Sequence, residues 1–519
     1  MPGGAHRSAT NCFAKRCFAQ TFEPRFSGGA GAPGSPTNAQ MTTANVHTIR
    51  VSLNQGKRVF GSPESRSGSS SSKHKEVITN MESQWNPFEE FVACVGIDWA
   101  SEHHDIQLLA AGGRKAEHSR ISATPEGVAE WVAGLRGRFP AGRIAVAVEK
   151  SRGPLMAALT GYDFVVLYPI HPGAVKKFRD TLAASGAKSD PGDAALILQL
   201  LLGHGDHLRV WKPDTVLTRK IALLCEDRRS AVGEQVRLTA QLRDALKRYF
   251  PQALRWCAER LEAPAALALL EKWPTLPRLQ RARPDSVRAY LRRHRRMSAE
   301  QVDALIAEIR AACVLTRDEA IVEAAVMKVK RLIRTLPVLA ESIAEYERQI
   351  ADCFDQHEDA DLFRCLPGAG PALAPRLLAL FGSDRERFES AEEVQNFSGI
   401  APVTRASGNQ RTVSKRIGCT KFLRQTLHEF AGESIMFCPW ARAFYDFKRA
   451  AGKGHHVALR ALAYKWARII FRCWKDRTPY NEARYLRGLI RNDPPWLCGH
   501  YPAEPRPRPS IMQNVSKSC

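Results

Sequence analysis

Through its first 80 or so positions the chain has almost no hydrophobic period, and Gly, Ser, Pro, Thr and Asn dominate. Such a segment cannot bury enough apolar surface to offset the entropy of ordering it. Its Arg and Ser with few acids also suit a transit peptide, but the preferred reading is an upstream extension with Met81 as the working start. The folded pattern begins near Phe91. Phe91 to Ile97 is a short apolar run suited to a buried strand, and Ile106 to Ala110 and Glu117 to Ile121 read as neighbouring strands. Thr124-Pro125-Glu126 then opens a helix through Arg138. Thr caps, Pro occupies the first helical position, and Glu complements the dipole. A strand at Arg143 to Val148, a short helix at Pro154 to Leu159, a strand at Asp163 to Leu167, and helices at Gly173 to Leu182 and Pro191 to Leu202 complete the unit. This order predicts a mixed α/β sheet.

Leu217 to Tyr249 reads as one long helix, with Leu217, Ile221, Leu224, Ala231, Leu238, Leu242 and Tyr249 at heptad a/d positions and Arg228 and Gln235 as polar exceptions. A coiled coil and an ordinary long helix of an all-α domain both fit that spacing. Helical patterns continue to about Asp352, with Pro337 interrupting one of them, and a last compact region spans Leu362 to Leu486. The expected organisation is a disordered extension over 1–88, an α/β domain over 89–208, a helical or coiled-coil region over 215–355, a mainly α domain over 360–486, and a disordered, Pro- and Arg-rich tail over 487–519.

The composition, 44% hydrophobic and 25% charged, is that of a soluble globular protein. It holds no run of about 18 apolar residues to cross a membrane. A formal net charge of +23 changes the picture. An excess of that size points to a polyanion, because Lys and Arg that neutralise phosphates release condensed counterions. The thirteen cysteines form no C-x-x-C pair, which argues against zinc sites and redox centres and fits reduced thiols in a cytoplasm. The adjacent pairs His103-His104 and His455-His456 diverge on a helix and read as surface or phosphate-contacting residues.

Candidate chemistry starts with acids. Asp98 directly follows the first strand and Glu149 the fourth, so they converge if those strands are neighbours. Asp190 and Asp193 open the last helix three residues apart, on one side. Asp residues also serve as caps and strand ends. Four carboxylates at one spot repel unless a divalent cation neutralises them, and paired Mg²⁺ ions are the usual device for attacking a phosphodiester.

This strand–helix order and the Asp…Glu…Asp-x-x-Asp arrangement resemble the RuvC-like branch of the RNase H fold. More specifically, they resemble DEDD transposases of the Piv/MooV type encoded by insertion sequences. The resemblance covers about Val92 to Tyr480 and rests on Gly-Ile-Asp-Trp-Ala and Lys-Ser-Asp-Pro-Gly-Asp-Ala. Leu366-Pro367-Gly368-Ala369-Gly370-Pro371 precedes an apolar helix and is similar to the hairpin of helix-hairpin-helix units. There Gly368 and Gly370 would present backbone N–H groups to a DNA phosphate, the plainer reading being a tight interhelical turn. From Val403 to Gln425 no acid interrupts a stretch carrying Arg405, Arg411, Lys415, Arg416, Lys421 and Arg424. By composition alone this is a phosphate-binding loop.

The Pro-x-x-x-x-Ser-Gly motif and Cys419-Thr420-Lys421-Phe422-Leu423-Arg424-Gln425 are similar to the C-terminal domain of the same family, where the Ser of Ser-Gly is the nucleophile; here that is Ser407, not Ser398 or Ser414. Arg460, Arg468 and Arg472 recur along a predicted helix at His455 to Trp474, while Trp440, Phe444 and Tyr445 read as core or base-stacking residues.

The resemblance implies an RNase H-like domain, a helical middle and a mainly α transposase domain. Asp98, Glu149, Asp190 and Asp193 would hold Mg²⁺ while Ser407 attacks DNA. It further implies action on element ends and target as a dimer or tetramer whose sites combine domains of different subunits, in some members with a structured guide RNA, in the bacterial cytoplasm beside the nucleoid. The rival readings are a junction-resolving nuclease that activates water, and an inactive DNA- or RNA-binding remnant.

Overall fold

Alternation along the first strands decides how the α/β unit layers. A computed structural model describes residues 86–149, 153–182, 190–257, 260–408, 410–492 and 494–497, with the backbone alone at 182, 190 and 191. The expectations for the N-terminal extension, the start at Met81 and most of the tail lie outside the described residues. Strands β1 (Phe91–Asp98), β2 (His103–Ala110), β3 (Glu117–Ser122), β4 (Arg143–Val148) and β5 (Val165–Pro169) form one sheet. Its order is β3-β2-β1-β4-β5. β1, β4 and β5 run parallel, while β2 and β3 form an antiparallel meander off β1.

Helices α1 (Pro125–Arg138) and α2 (Pro154–Leu159) cover one face; α3 (Pro172–Leu182) and α4 (Asp190–His204) cover the other. Ala93, Val95, Ile97, Ile144, Val146 and Val148 point to the first face. Cys94, Ala145 and Ala147 point to the second, against Ile197, Leu198 and Leu201. Strands buried on both faces read as continuous apolar runs, which is why β1 and β4 were legible. The predicted cap holds as well: Thr124 Oγ1 accepts the Gly127 N–H at 3.1 Å. The domain is RNase H-like.

One sequence expectation fails here. His103 and His104 lie on β2, not a helix, so they face opposite sides. His104 is buried, and its Nδ1 accepts the Ala100 N–H at 3.3 Å. Burial, then the neighbouring His103, pushes its pKa down.

Two long helices follow, α5 (Val216–Tyr249) and, after a set of short ones, α11 (Glu319–Asp355). They pack antiparallel. Ile221 and Cys225 share a core with Ile350, Cys353 and Phe354, whereas Leu238, Leu242 and Tyr249 share another with Val329, Leu332 and Leu336. The heptad stripe of α5 thus finds its partner within the chain. Pro337 does not interrupt α11. A mid-helix proline costs about 3 kcal/mol, and the buried Ile333, Leu336 and Ile343 around it hold the helix in line. Between the long helices, α6 (Ala253–Trp256), α7 (Pro264–Lys272), α8 (Leu276–Gln280), α9 (Pro284–His294) and α10 (Ala299–Ala311) form a small subdomain over Trp256, Leu270, Leu276 and Leu291.

The C-terminal region contains α12 (Ala360–Arg364), α13 (Gly370–Phe381), α14 (Ala391–Phe397), the hairpin β6 (Val403–Ser407) and β7 (Gln410–Ser414), then α15 (Lys421–Phe437), α16 (Pro439–Ala450), α17 (His455–Lys475) and α18 (Glu482–Asn492). Trp440, Trp466, Trp474, Phe381 and Phe430 are its largest buried rings. Trp440 and Phe444 are therefore core, and Tyr445 bonds His455 Nδ1 at 2.7 Å. The fold runs past its predicted end. Tyr485, Leu486, Leu489 and Ile490 of α18 pack on the core, Trp496 and Leu497 are buried, and Trp496 meets Phe444 at 5.3 Å. Arg-rich composition had masked an amphipathic helix there.

The segment before α5 ties the sheet to this region. The Trp211 N–H donates to Leu167 O at 2.8 Å, while Arg209 bonds Glu393 at 2.6 Å and Lys212 bonds Glu386 at 3.3 Å. No helix among the described residues is long and apolar enough to cross a membrane.

Candidate active site

The parallel register sets Ile97 beside Val148, so Asp98 and Glu149 leave neighbouring strand ends together. Alternation puts Asp98 on the face of Cys94 and Gly96, and Glu149 on that of Ala145 and Ala147, the side covered by α3 and α4. Gly96 explains how close α4 comes. A Cβ there would lie 2.4 Å from Ala194 O and 2.5 Å from Leu198 N. Only a glycine admits the helix backbone at that distance, and residues 190–193 form the turn just before the contact.

Asp193 is buried, and Arg179 Nη2 of α3 donates to its Oδ1 at 2.5 Å. The side chain of Asp190 lies outside the described residues; its backbone begins α4. Among the described residues no three acid, His or Cys groups are close enough to share a cation, and the carboxylate of Asp193 is engaged by Arg179. The donors at these stations are nonetheless all carboxylate oxygens, the chemistry that a hard divalent ion takes.

Two residues here escaped sequence reasoning. Arg179 sits four residues after the buried Val175, a cation on the inward side of an amphipathic helix. Asp105 faces Asp98 directly in the β1–β2 register. It is buried and held by His118 Nε2 at 2.9 Å and by Arg120 Nη2 at 3.2 Å to both oxygens. An acid at a core-facing strand position was the available signal.

The second group of predicted residues lies in the C-terminal region. Ser407 is exposed at the tip of the β6–β7 hairpin, where Ser407 pairs with Gln410 and Gly408 takes φ +54°. That left-handed turn favours glycine. Arg405 shares the face of Ser407, whereas Arg411, opposite Ala406, points to the other. Lys415 and Lys421 are exposed. Arg416 and Arg424 instead brace the following loop: Arg416 Nη2 reaches Asn396 Oδ1 at 2.8 Å, and Arg424 Nη1 reaches Arg416 O at 3.1 Å. Ser398 is fully buried and donates to Gln395 O at 3.3 Å, while Ser414 is at the far end of β7. Gly368 (φ +83°) backs onto Glu433 and Phe437 of α15, and Gly370 has open space where a Cβ would be.

Two family profiles match the chain. One, described as a transposase, spans residues 95–251 and so takes in Asp98, Glu149, Asp190 and Asp193. The other, the transposase IS116/IS110/IS902 family, spans residues 360–446 with Gly368, Gly370 and Ser407. The mini-circle transposase of IS117 from Streptomyces coelicolor is 30% identical over 76% of this chain and 97% of its own length. The chain belongs to the IS110/IS116/IS902 family of insertion-sequence transposases. The 42 kDa protein of IS900 from Mycobacterium paratuberculosis is 27% identical over 75% of the transposase and 97% of itself. The 43.6 kDa protein of IS110 from Streptomyces coelicolor is 25% identical over 67% and 82%. The chain is thus a DNA transposase, and the RNase H-like sheet and the C-terminal hairpin fall in its two matched segments.

Proposed function

We propose that this transposase cuts and rejoins DNA through Ser407, with Asp98, Glu149, Asp190 and Asp193 holding Mg²⁺. Bound Mg²⁺ would polarise the scissile phosphate and stabilise the leaving oxygen. The Ser407 hydroxyl attacks phosphorus as the bond to a deoxyribose oxygen breaks; the serine proton is released and the departing oxygen takes one up. The phosphoserine link keeps the bond energy, so a second DNA hydroxyl rejoins the strand by the reverse step without ATP. Arg405, on the face of Ser407, favours the dianionic transition state. Arg411, Lys415, Lys421, Gly368 and Gly370 would bind DNA backbone, with Arg416 and Arg424 shaping the loop between them.

The observation that supports the reading is the register that sets Ile97 beside Val148, from which Asp98 and Glu149 leave neighbouring strand ends, with α4 seated on Gly96 at Ala194, the residue after Asp193. The family resemblance adds a site completed by a second copy, in a dimer or tetramer. The +23 charge leaves room for a structured guide RNA as well as DNA.

The test is to incubate the protein with Mg²⁺ and a plasmid bearing its element, trap covalent protein–DNA complexes under denaturing conditions, and map the linked residue. An adduct on Ser407, lost in Ser407→Ala and in Asp98→Asn, is expected. Cleavage by Ser407→Ala at the wild-type rate, with solvent oxygen in the product, would overturn the assignment in favour of a resolving nuclease.

A further inference from the structure

The small subdomain between α5 and α11 lies outside both matched family segments, and its charge is unexplained by the chemistry above. From Arg278 to Arg296 the chain holds eight arginines, one histidine and a single acid, Asp285. Two of the arginines are engaged. Arg288 bonds Asp285 at 2.7 Å and Asp303 at 2.8 Å, and Arg295 donates to Trp256 O at 3.1 Å. The other six, Arg278, Arg281, Arg283, Arg292, Arg293 and Arg296, are exposed, and no described residue receives their guanidinium groups. Nearby acids are already engaged: Glu308 with Trp256 and Arg255, and Glu262 with Arg260.

We propose that these six arginines form a docking surface for the phosphodiester backbone of duplex DNA. Six unpaired like charges on one small subdomain repel one another and work against the fold, most strongly for neighbours within a Debye length of about 8 Å. Cations in a last helical turn do offset the dipole of that helix. This accounts in part for Arg292 and Arg293 of α9 and for Arg278 in the short α8, but not for Arg281, Arg283 and Arg296, which lie outside both helices.

The geometry suits an extended polyanion. Val287 and Leu291 bury one side of α9, so Arg292 and Arg293 straddle the outward line through Asp285 and Ala289. Arg281 and Arg283 stand at the other end of a helix of 11 residues, about 16 Å long at 1.5 Å per residue. Duplex DNA carries one charge per roughly 1.7 Å of axis, so that span meets several phosphates.

The aromatic rings nearby favour a duplex over a single strand. Single-strand sites stack bases on exposed rings. Here Trp256 and Trp273 are buried, and Tyr290 packs edge-on against Trp273 at 5.5 Å. Of these neighbouring rings only His294, packed on Tyr290 at 4.6 Å, is exposed to meet a base, whereas arginine forks bind phosphate without reading sequence. DNA is the duplex this transposase handles.

The test measures binding of the full-length protein to an arbitrary DNA duplex in EDTA, so that catalysis plays no part, across a salt series. In the triple variant Arg281→Ala, Arg292→Ala, Arg293→Ala, the slope of log K against log salt should shrink by about 1.8–2.7, at 0.9 per lost phosphate contact. A control triple variant at the exposed Lys330, Arg331 and Arg334 of α11 should keep most of its slope. An unchanged slope in the first variant, or an equal loss in the control, overturns the proposal. So does a loss confined to an RNA duplex of the same sequence, which would make RNA the partner.

Discussion

Gly96→Ala is the sharpest test of how the acidic site is assembled. The added methyl would lie 2.4 Å from Ala194 O, 2.5 Å from Leu198 N and 2.9 Å from Leu198 Cα. All three atoms are helix backbone, so no side chain can turn aside. Against an ordinary contact of 3.4 Å the shortfall is about 1 Å, and α4 must back away from β1 by that much. Overpacking of this kind costs roughly 1–3 kcal/mol. Because β1 carries Asp98 while α4 carries Asp190 and Asp193, the same shift parts the acids, and a misplacement of about 1 Å lowers rates on the order of 100-fold. Strand cleavage on a plasmid bearing the element and a thermal melt, both on the full-length protein, read the two effects. A variant that melts several degrees lower and has lost most of its cleavage is expected. Wild-type cleavage together with a wild-type Tm would refute the close approach of α4 to β1.

Other outcomes follow from named contacts. Asp193→Asn leaves the guanidinium of Arg179, only 18% exposed, without its anion. Removing one partner of a fully buried pair costs roughly 3–5 kcal/mol; a smaller loss is expected here because Arg179 keeps some solvent, and the double variant Arg179→Met, Asp193→Asn should recover part of it in calorimetry. An Asp193→Asn protein as stable as the wild type would show that the pair is not formed. Burial holds the pKa values of His104, His357 and His428 below the usual histidine range. An unfolded chain therefore takes up protons before the fold does, so the Tm should be flat above about pH 7 and decline as pH falls through ~6.5; a Tm that rises on acidification would contradict this sign. Gly408→Ala places a side chain at φ +54°, a strain of about 1–2 kcal/mol confined to the hairpin. The covalent adduct should weaken while the Tm of the protein holds, and an undiminished adduct yield would separate the turn from the chemistry.

Much of the α/β domain is local information. The continuous apolar runs of β1 and β4, the Thr124-Pro125-Glu126 start of α1, and the heptad stripe of α5 appear where periodicity places them, because strands buried on both faces and capped helices follow from neighbouring residues alone. Sequence also named the stations of Asp98, Glu149, Asp190 and Asp193 and singled out Ser407. Other features required the folded chain. Whether Asp98 and Glu149 meet depends on β1 and β4 pairing across the 44 positions between them, a register that no local period encodes.

The partners of Asp193 and Asp105 come from different elements, Arg179 on α3 and Arg120 on β3. A cation that reads as surface in the sequence becomes an internal counter-charge only once α3 lies against α4. Local rules also misjudged Pro337, where packing on α5 outweighs one lost backbone bond, and Trp496, whose burial against Phe444 was hidden in a polar tail. His104 was misread for a related reason. Two adjacent histidines diverge on a helix and face opposite sides on a strand, and only the sheet decides which of them is inside.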